Sequence, residues 1–371
     1  MRDVLFTRGK DTLLLSLLNT SWGNCFIPRR KLLLFILPWL SVFLVYPAKS
    51  SAQTQPLRVS FINPGSAQES FWGDIDSLML VAASELNIEL EILHADRDHF
   101  RMIALAQELA AREQLPQYII LVNEKNAAVK MLAAFEGLPI KTLLLLNDVA
   151  PEVRHLLQQQ PYWRQHLLPP LVPDNERIGF LTAQALAQQL GAGSQQVLLI
   201  SGDKGTPASI ARTQGAINGF RERGVEPLQV VYGHWQELRA KTQTEILLKR
   251  YPGLKGIWTA NDHMAFGAIA SLEEKGLRPG EDIFISSINT SNKVLDWRSQ
   301  GRVSVLGGGH LLAGAEALRR IRDDSEARPW NNKIPSMFRL LVPGTEPFNL
   351  LEQRNWRALL VWYQQTSEVM H

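Results

Sequence analysis

One cysteine stands in 371 residues, and it lies at position 25. Everything after it is therefore barred from disulfides, thiolate metal sites and cysteine nucleophiles. Glycine (25) and proline (20) are too few for a collagen-like or low-complexity chain. Charge of one sign is scarce too. Lys plus Arg number 39 against 36 Asp plus Glu, and residues 1–52 hold seven of the basic side chains but only Asp3 and Asp11 of the acidic ones. The remainder keeps 32 basic and 34 acidic groups, so the basic field that nucleic acid requires is absent from it. No Gly-x-Ser-x-Gly elbow occurs, and the scattered carboxylates form no acid/base pair, so the chain is expected not to be an enzyme.

The front segment carries a pattern of its own. Arg29, Arg30 and Lys31 precede an apolar run of 15 residues, 32–46, and the small residues Ala48, Ser50, Ser51 and Ala52 follow. As helix that run spans roughly 22 Å, against about 30 Å of bilayer hydrocarbon. The order matches a secretory signal peptide, with cleavage expected near Ala52 and export to the periplasm; an uncleaved anchor is the alternative. Residues 1–28 are long for the segment ahead of such a run, so the true translation start is expected further downstream.

From residue 57 short apolar runs alternate with amphipathic stretches. Strands are expected at 57–64, 88–94, 118–123, 140–147, 197–201, 228–232, 256–260 and 283–288, because these continuous apolar runs end in polar or turn residues. Helical spacing fills 71–86, 98–114, 126–137, 174–190, 207–223, 236–251 and 263–275, with Asp98 an expected N-cap. Residues 148–173, rich in Pro and Gln, read as a break. Such alternation builds parallel sheets covered on both faces, here in two doubly wound halves.

Ligands of open parallel sheets bind outside the carboxyl ends of the strands. Those positions hold Phe71 and Trp72, Asn123 and Glu124, Asn147 and Asp148, 202–212, His234 and Trp235, Asn261 and Asp262, Asn289, and 307–310. Aromatic faces pack on the C–H faces of a sugar ring, while amide, carboxylate and guanidinium groups bridge hydroxyls; together they suit a polyol.

Four stretches then carry a family resemblance across about 57–341. Phe71-Trp72-Gly73 looks like an aromatic first loop. Ala211-Arg212-Thr213-Gln214-Gly215 is similar to a ligand-binding helix, Trp258-Thr259-Ala260-Asn261-Asp262-His263 to a strand end carrying an Asn-Asp pair, and Ser287-Ile288-Asn289 to the place where an aspartate is usual. The sequence resembles the type I periplasmic substrate-binding proteins, in their ribose- and galactose-binding branch. That resemblance implies an α/β fold of two doubly wound parallel-sheet lobes joined by a hinge. It places one lobe at 57–148 plus 308–330 and the other at 149–307 plus 331–350, with crossings near Asn147, Gly307 and Trp330 and a helical tail at 351–371. By the same resemblance Phe71, Trp72, Glu124, Arg212, Trp235, Asn261 and Asn289 contact the ligand, with Asn123, Asp262 and His310 as additional candidates. Asn289 in place of aspartate, and 307–310 in place of a glutamine-bearing stretch, imply a different hydroxyl pattern.

Simpler roles compete for several of these residues. Phe71 and Trp72 could be core aromatics, Arg212 a solvated charge, and one of Asn261 and Asp262 a helix cap. His94, Asp96, Asp98 and His99 crowd six positions but match no zinc or EF-hand spacing, and residues 201–206 lack the ending of a phosphate loop. Neither metal nor cofactor is expected. The tail is expected to pack on its own lobe, a partner-binding helix being the alternative. The expected function is that of a monomeric periplasmic receptor taking a small polyhydroxylated ligand between two lobes and delivering it to the permease of an ABC importer. A receptor of the same fold read by a membrane sensor protein is the alternative, and nucleic acid is not an expected partner.

Overall fold

The computed structural model describes residues 55–191, 195–329 and 336–369. The leader with Cys25 and the crossing near Trp330 lie outside the described residues. Four parallel strands build the first sheet: β1 (Leu57–Asn63), β2 (Ile88–His94), β3 (Tyr118–Leu121) and β4 (Lys141–Leu144), in the order β2-β1-β3-β4. Helices α1 (Ser70–Glu85), α2 (His99–Ala110) and α3 (Ala128–Phe135) connect them. All four residues of β3 are buried, as a strand covered on both faces demands.

The stretch read as a break is partly helical. Pro151 and Pro161 open α4 (Pro151–Gln159) and α5 (Pro161–His166), because a proline at the first helical position forfeits only an N–H that would have no partner there. Single bridges from Leu167 to Thr142 and from Leu171 to Leu145 keep the chain beside β4 before α6 (Asn175–Leu190) begins.

The second sheet runs β10-β9-β8-β7-β5-β6. Its elements follow in chain order as β5 (Gln196–Ser201), α7 (Pro207–Glu222), β6 (Gln229–Tyr232), α8 (Glu237–Arg250), β7 (Leu254–Thr259), α9 (Asp262–Glu274), β8 (Phe284–Ile288) and α10 (Asn292–Ser299). After them come β9 (Val305–Gly308), α11 (Leu312–Ser325), β10 (Arg339–Leu340), α12 (Glu346–Glu352) and α13 (Trp356–Val369). Among the described residues only β10 is antiparallel to its neighbour. The sequence reading lacks β9 and β10: Gly307 and Gly308 dilute the apolar run of the first, and the second has two residues.

Trp258, fully buried in β7, anchors the second half by donating Nε1 to Thr182 Oγ1 at 2.9 Å. Helix α11 packs on α1, so the chain returns to the first half after β9 and to the second sheet at β10. The tail does not keep to one half. Helix α12 packs on α10, whereas α13 packs on α1, where Leu360 and Tyr363 line a small pocket together with Ala82 and Leu86 of the α1 end and Ala315 of α11.

Candidate functional site

Carboxyl ends of the strands in both sheets border one cavity. It is lined by Phe71, Trp72, Glu124, Arg212, Trp235, Asn261, Asn289 and His310. Asn123 and Asp262 stand behind that wall. Asn123 accepts from Ala128 N and donates to Asp148 O, while Asp262, fully buried, accepts from Asn289 Nδ2 at 2.8 Å. Glu69, Arg97, Asn147, Asn175, Thr206 and His263 also line the cavity and were not among the expected contacts.

The backbone at these strand ends is unusual. Arg97 (φ 64°), Leu146 (φ 65°), Trp235 (φ 64°) and Asn289 (φ 135°) all have positive φ and all line the cavity. Each is a residue type that pays to sit there, a cost characteristic of sites where the surroundings dictate a side chain's direction.

On the first wall, Asn63 ends β1 and accepts from Gly65 N at 2.9 Å while donating to Asp76 Oδ1 at 2.7 Å. That fixes the loop beneath Trp72. A Cβ on Gly65 would stand 2.2 Å from Trp72 Cδ1, so only glycine lets the indole lie so close. His94, from the run that resembled a metal cluster, binds Asp76 Oδ2 at 2.8 Å, and Asp98 caps α2 by accepting from Phe100 N. Among the described residues no three His, Cys, Asp or Glu side chains converge on a cation site.

Arg97 lies 5.8 Å from the Trp72 ring centroid and is held by Glu69 through Nε at 2.8 Å and a second bond from Nη2. Burial opposes its charge, but the bonds and charge of Glu69 outweigh burial and hold its pKa above the ordinary value. Glu124, by contrast with the part-exposed Arg97, is buried. Burial raises its carboxyl pKa, with the Arg97 charge the leading counterweight.

The second wall centres on Arg212 in α7. Helices α6 and α7 touch backbone to backbone: a Cβ on Gly179 would be 2.0 Å from Arg212 O, and one on Gly215 1.9 Å from Glu176 O. This approach brings Asn175, the first residue of α6, to the guanidinium. Arg212 donates Nε to Asn175 Oδ1 and Nη1 to Ala260 O, both at 2.9 Å, and no carboxylate bonds it among the described residues. Burial pulls its pKa down to about 9, the Asp262 charge opposing. The Trp235 and Phe338 rings lie 5.9 and 5.5 Å from it.

Of the Asn261-Asp262 pair, Asn261 both caps the helix and faces the cavity. It caps α9 by accepting from Met264 N at 3.0 Å, lines the cavity, and donates to Trp235 O at 3.4 Å. Asn289 gives one donor to Asp262, and among the described residues no hydrogen bond to its Oδ1 is found. His310 is stacked between Phe71 and Phe338, at 4.5 and 4.6 Å. Burial, then the charge of Arg212, holds its pKa well below 6.5, so the ring is neutral near pH 7.

Hydrogen bonds cross the cavity between the halves. Thr206 Oγ1 donates to Glu124 Oε1 at 3.1 Å, Ala208 N to Asn147 Oδ1 at 3.0 Å, and Ser70 Oγ stands 3.3 Å from His263 Nε2. The halves are thus closed on a space with aromatic faces and a polar rim, suited to a ring bearing hydroxyls.

Comparison with known proteins agrees with this geometry. Residues 170–308 match the family model described as a periplasmic binding protein domain. A crystal structure of a periplasmic sugar-binding protein from Pseudomonas fluorescens is 32% identical with a TM-score of 0.73, the match covering 82% of this chain and 92% of that one. Among curated proteins, the HTH-type transcriptional regulator AscG of Escherichia coli (strain K12) is 29% identical over 104 residues, 27% of this chain and 31% of the regulator. The D-apiose import binding protein of Actinobacillus succinogenes is 28% identical over 148 residues, 39% of this chain and 44% of that protein. The chain thus spans less than half the length of these curated relatives.

Proposed function

The chain belongs to the periplasmic sugar-binding proteins of the type I fold, and on that footing we propose that it takes one small sugar or polyol into this cleft and delivers it to the permease of an ABC importer. The observation that carries the reading is Arg212. A buried guanidinium with only neutral acceptors keeps donor capacity for ligand oxygens, and charge-assisted bonds of that kind contribute about 1.5 to 3 kcal/mol each. Trp72, Trp235 and Phe71 offer faces to the C–H surfaces of a ring. Asn289 and Glu124 offer acceptors to its hydroxyls, and neutral His310 can accept or donate.

The protein works in the periplasm, after a leader ending near Ala52 is removed. Intact mass of the periplasmic form checks this: a mature chain still carrying residues 32–46 contradicts it. The ligand class is tested by a thermal-shift screen of pentoses, hexoses, polyols and furanose sugars. A binder at 100 times its dissociation constant raises stability by about 2.7 kcal/mol. If amino acids or phosphorylated compounds raise the melt and no sugar or polyol does, the ligand class is wrong.

A further inference from the structure

Helix α7 carries Arg212 and begins without a cap of its own. Its N-cap residue, Thr206 (φ −98°, ψ 120°), makes no side-chain bond to the first turn, although a threonine there ordinarily accepts from an N–H of that turn. The Thr206 hydroxyl instead donates to Glu124 Oε1 of the first half at 3.1 Å. Each N–H of the opening turn then needs another acceptor. Pro207 has no N–H, while Ser209 N and Ile210 N donate to Thr206 O at 2.9 and 3.2 Å. Ala208 N remains, and it donates to Asn147 Oδ1 at 3.0 Å.

Asn147 belongs to the first half. It follows β4 by three positions, and its backbone O accepts from Asn123 N at 3.3 Å, which ties it to the end of β3. Its side chain is buried. The bond it makes is that of an N-cap, an asparagine oxygen on an N–H of a helix's first turn, but the cap comes from the facing half rather than from the residue ahead of the helix. Asn126 Nδ2 also donates to Gly205 O at 3.4 Å. Residues 205–208 are thus held by three side chains of the first half, those of Glu124, Asn126 and Asn147.

We propose that Asn147 is a positioning residue of the ligand site: it caps α7 across the cleft, so that closing the halves completes the helix that presents Arg212 and parting them uncaps it. The bond stabilises the closed arrangement alone, and the apparent affinity for a ligand held in that arrangement follows the closed population. The inference rests on the sugar-binding reading of the cleft for its affinity readout, but not for its amide-exchange one.

The test uses the full mature chain as wild type, Asn147→Ala and Asn147→Asp. The sugar that most raises the wild-type melting temperature is titrated by calorimetry, and hydrogen exchange at the Ala208 amide is followed by NMR with and without saturating sugar. Asn147→Ala binds about fivefold more weakly, the size of one helix cap. Aspartate caps as well as asparagine and meets the positive end of α7, so Asn147→Asp recovers most of the loss. Sugar slows exchange at Ala208 in the wild type, a measurement that stands without either variant, and at saturation Ala208 exchanges faster in Asn147→Ala than in wild type. Unchanged affinity in Asn147→Ala overturns the proposal, as does a loss that aspartate leaves unrelieved. A loss with Ala208 exchanging as in wild type also overturns it, because Asn147 then acts on the ligand and not on α7, and so does wild-type exchange that sugar leaves unchanged. If no sugar or polyol binds the wild type, the ligand reading falls and exchange alone decides the cap: faster exchange at Ala208 in unliganded Asn147→Ala supports it, and equal exchange overturns it.

Discussion

The two walls of the cleft are built to one plan and differ in how they treat charge. Each sets a tryptophan at the carboxyl end of its sheet, presses it on a glycine and brings an arginine to its face. Trp72 has Gly65 and Arg97; Trp235 has Gly202 and Arg212, and a Cβ on either glycine would lie 2.2 Å from the indole. Arg97, however, is bonded to Glu69, whereas Arg212 bonds only an amide and a carbonyl. The first wall is neutralised before any ligand arrives. The second holds a charge whose burial is opposed only from a distance by Asp262.

The largest effect should follow from removing that charge. Arg212→Ala should weaken sugar binding about 100-fold or more by calorimetry, since at least one charge-assisted bond to the ligand and the bonds that seat Asn175 go together. Glu69→Ala/Arg97→Ala should cost less than about tenfold, because a pair removed whole leaves no stranded charge. Equal losses would mean that the walls do not differ. Next in size, Trp72→Ala and Trp235→Ala should each remove apolar contact worth about 1.5 to 3 kcal/mol of binding, and wild-type tryptophan fluorescence should change on titration. A loss confined to one tryptophan would break the symmetry of the plan.

Gly65→Ala and Gly202→Ala should displace the indole above them, at about 1 to 3 kcal/mol each in thermal stability. If both variants melt like wild type, the glycines do not set the tryptophans. The smallest effect concerns His310. Its folded pKa is depressed, so the stability it contributes is complete above 6.5 and declines as pH falls, by about 1.4 kcal/mol per unit until its folded pKa is reached. His310→Gln should flatten the melting profile between pH 6.5 and 5; an unchanged slope would mean that the imidazole is not held neutral.

Much of this was legible in the sequence because buried parallel strands leave continuous apolar runs, and the residue after each run falls at the cleft by topology. Phe71, Glu124, Trp235 and Asn289 were found in that way. Arg97 obeys the same rule after β2, but lay within a run weighed as a cation site, so its strand-end position went unused. Asn175 follows no strand. Only the contact of α6 with α7 through Gly179 and Gly215 brings it to Arg212, and a contact between two helices leaves no local periodicity. The tail shows a similar limit: the amphipathic spacing of Leu351, Trp356, Leu359, Leu360 and Trp362 announces a helix with a buried face, but not which half receives it.

The account turns on a ligand ring held between the two tryptophans with Arg212 as donor, and a crystal structure of the protein with the sugar selected by thermal shift tests it most directly. The predicted result is a single ring between Trp72 and Trp235, with Nη2 of Arg212 within hydrogen-bond distance of a ring or hydroxyl oxygen. A sugar bound elsewhere, or bound here with Arg212 turned to a protein carboxylate, would contradict it.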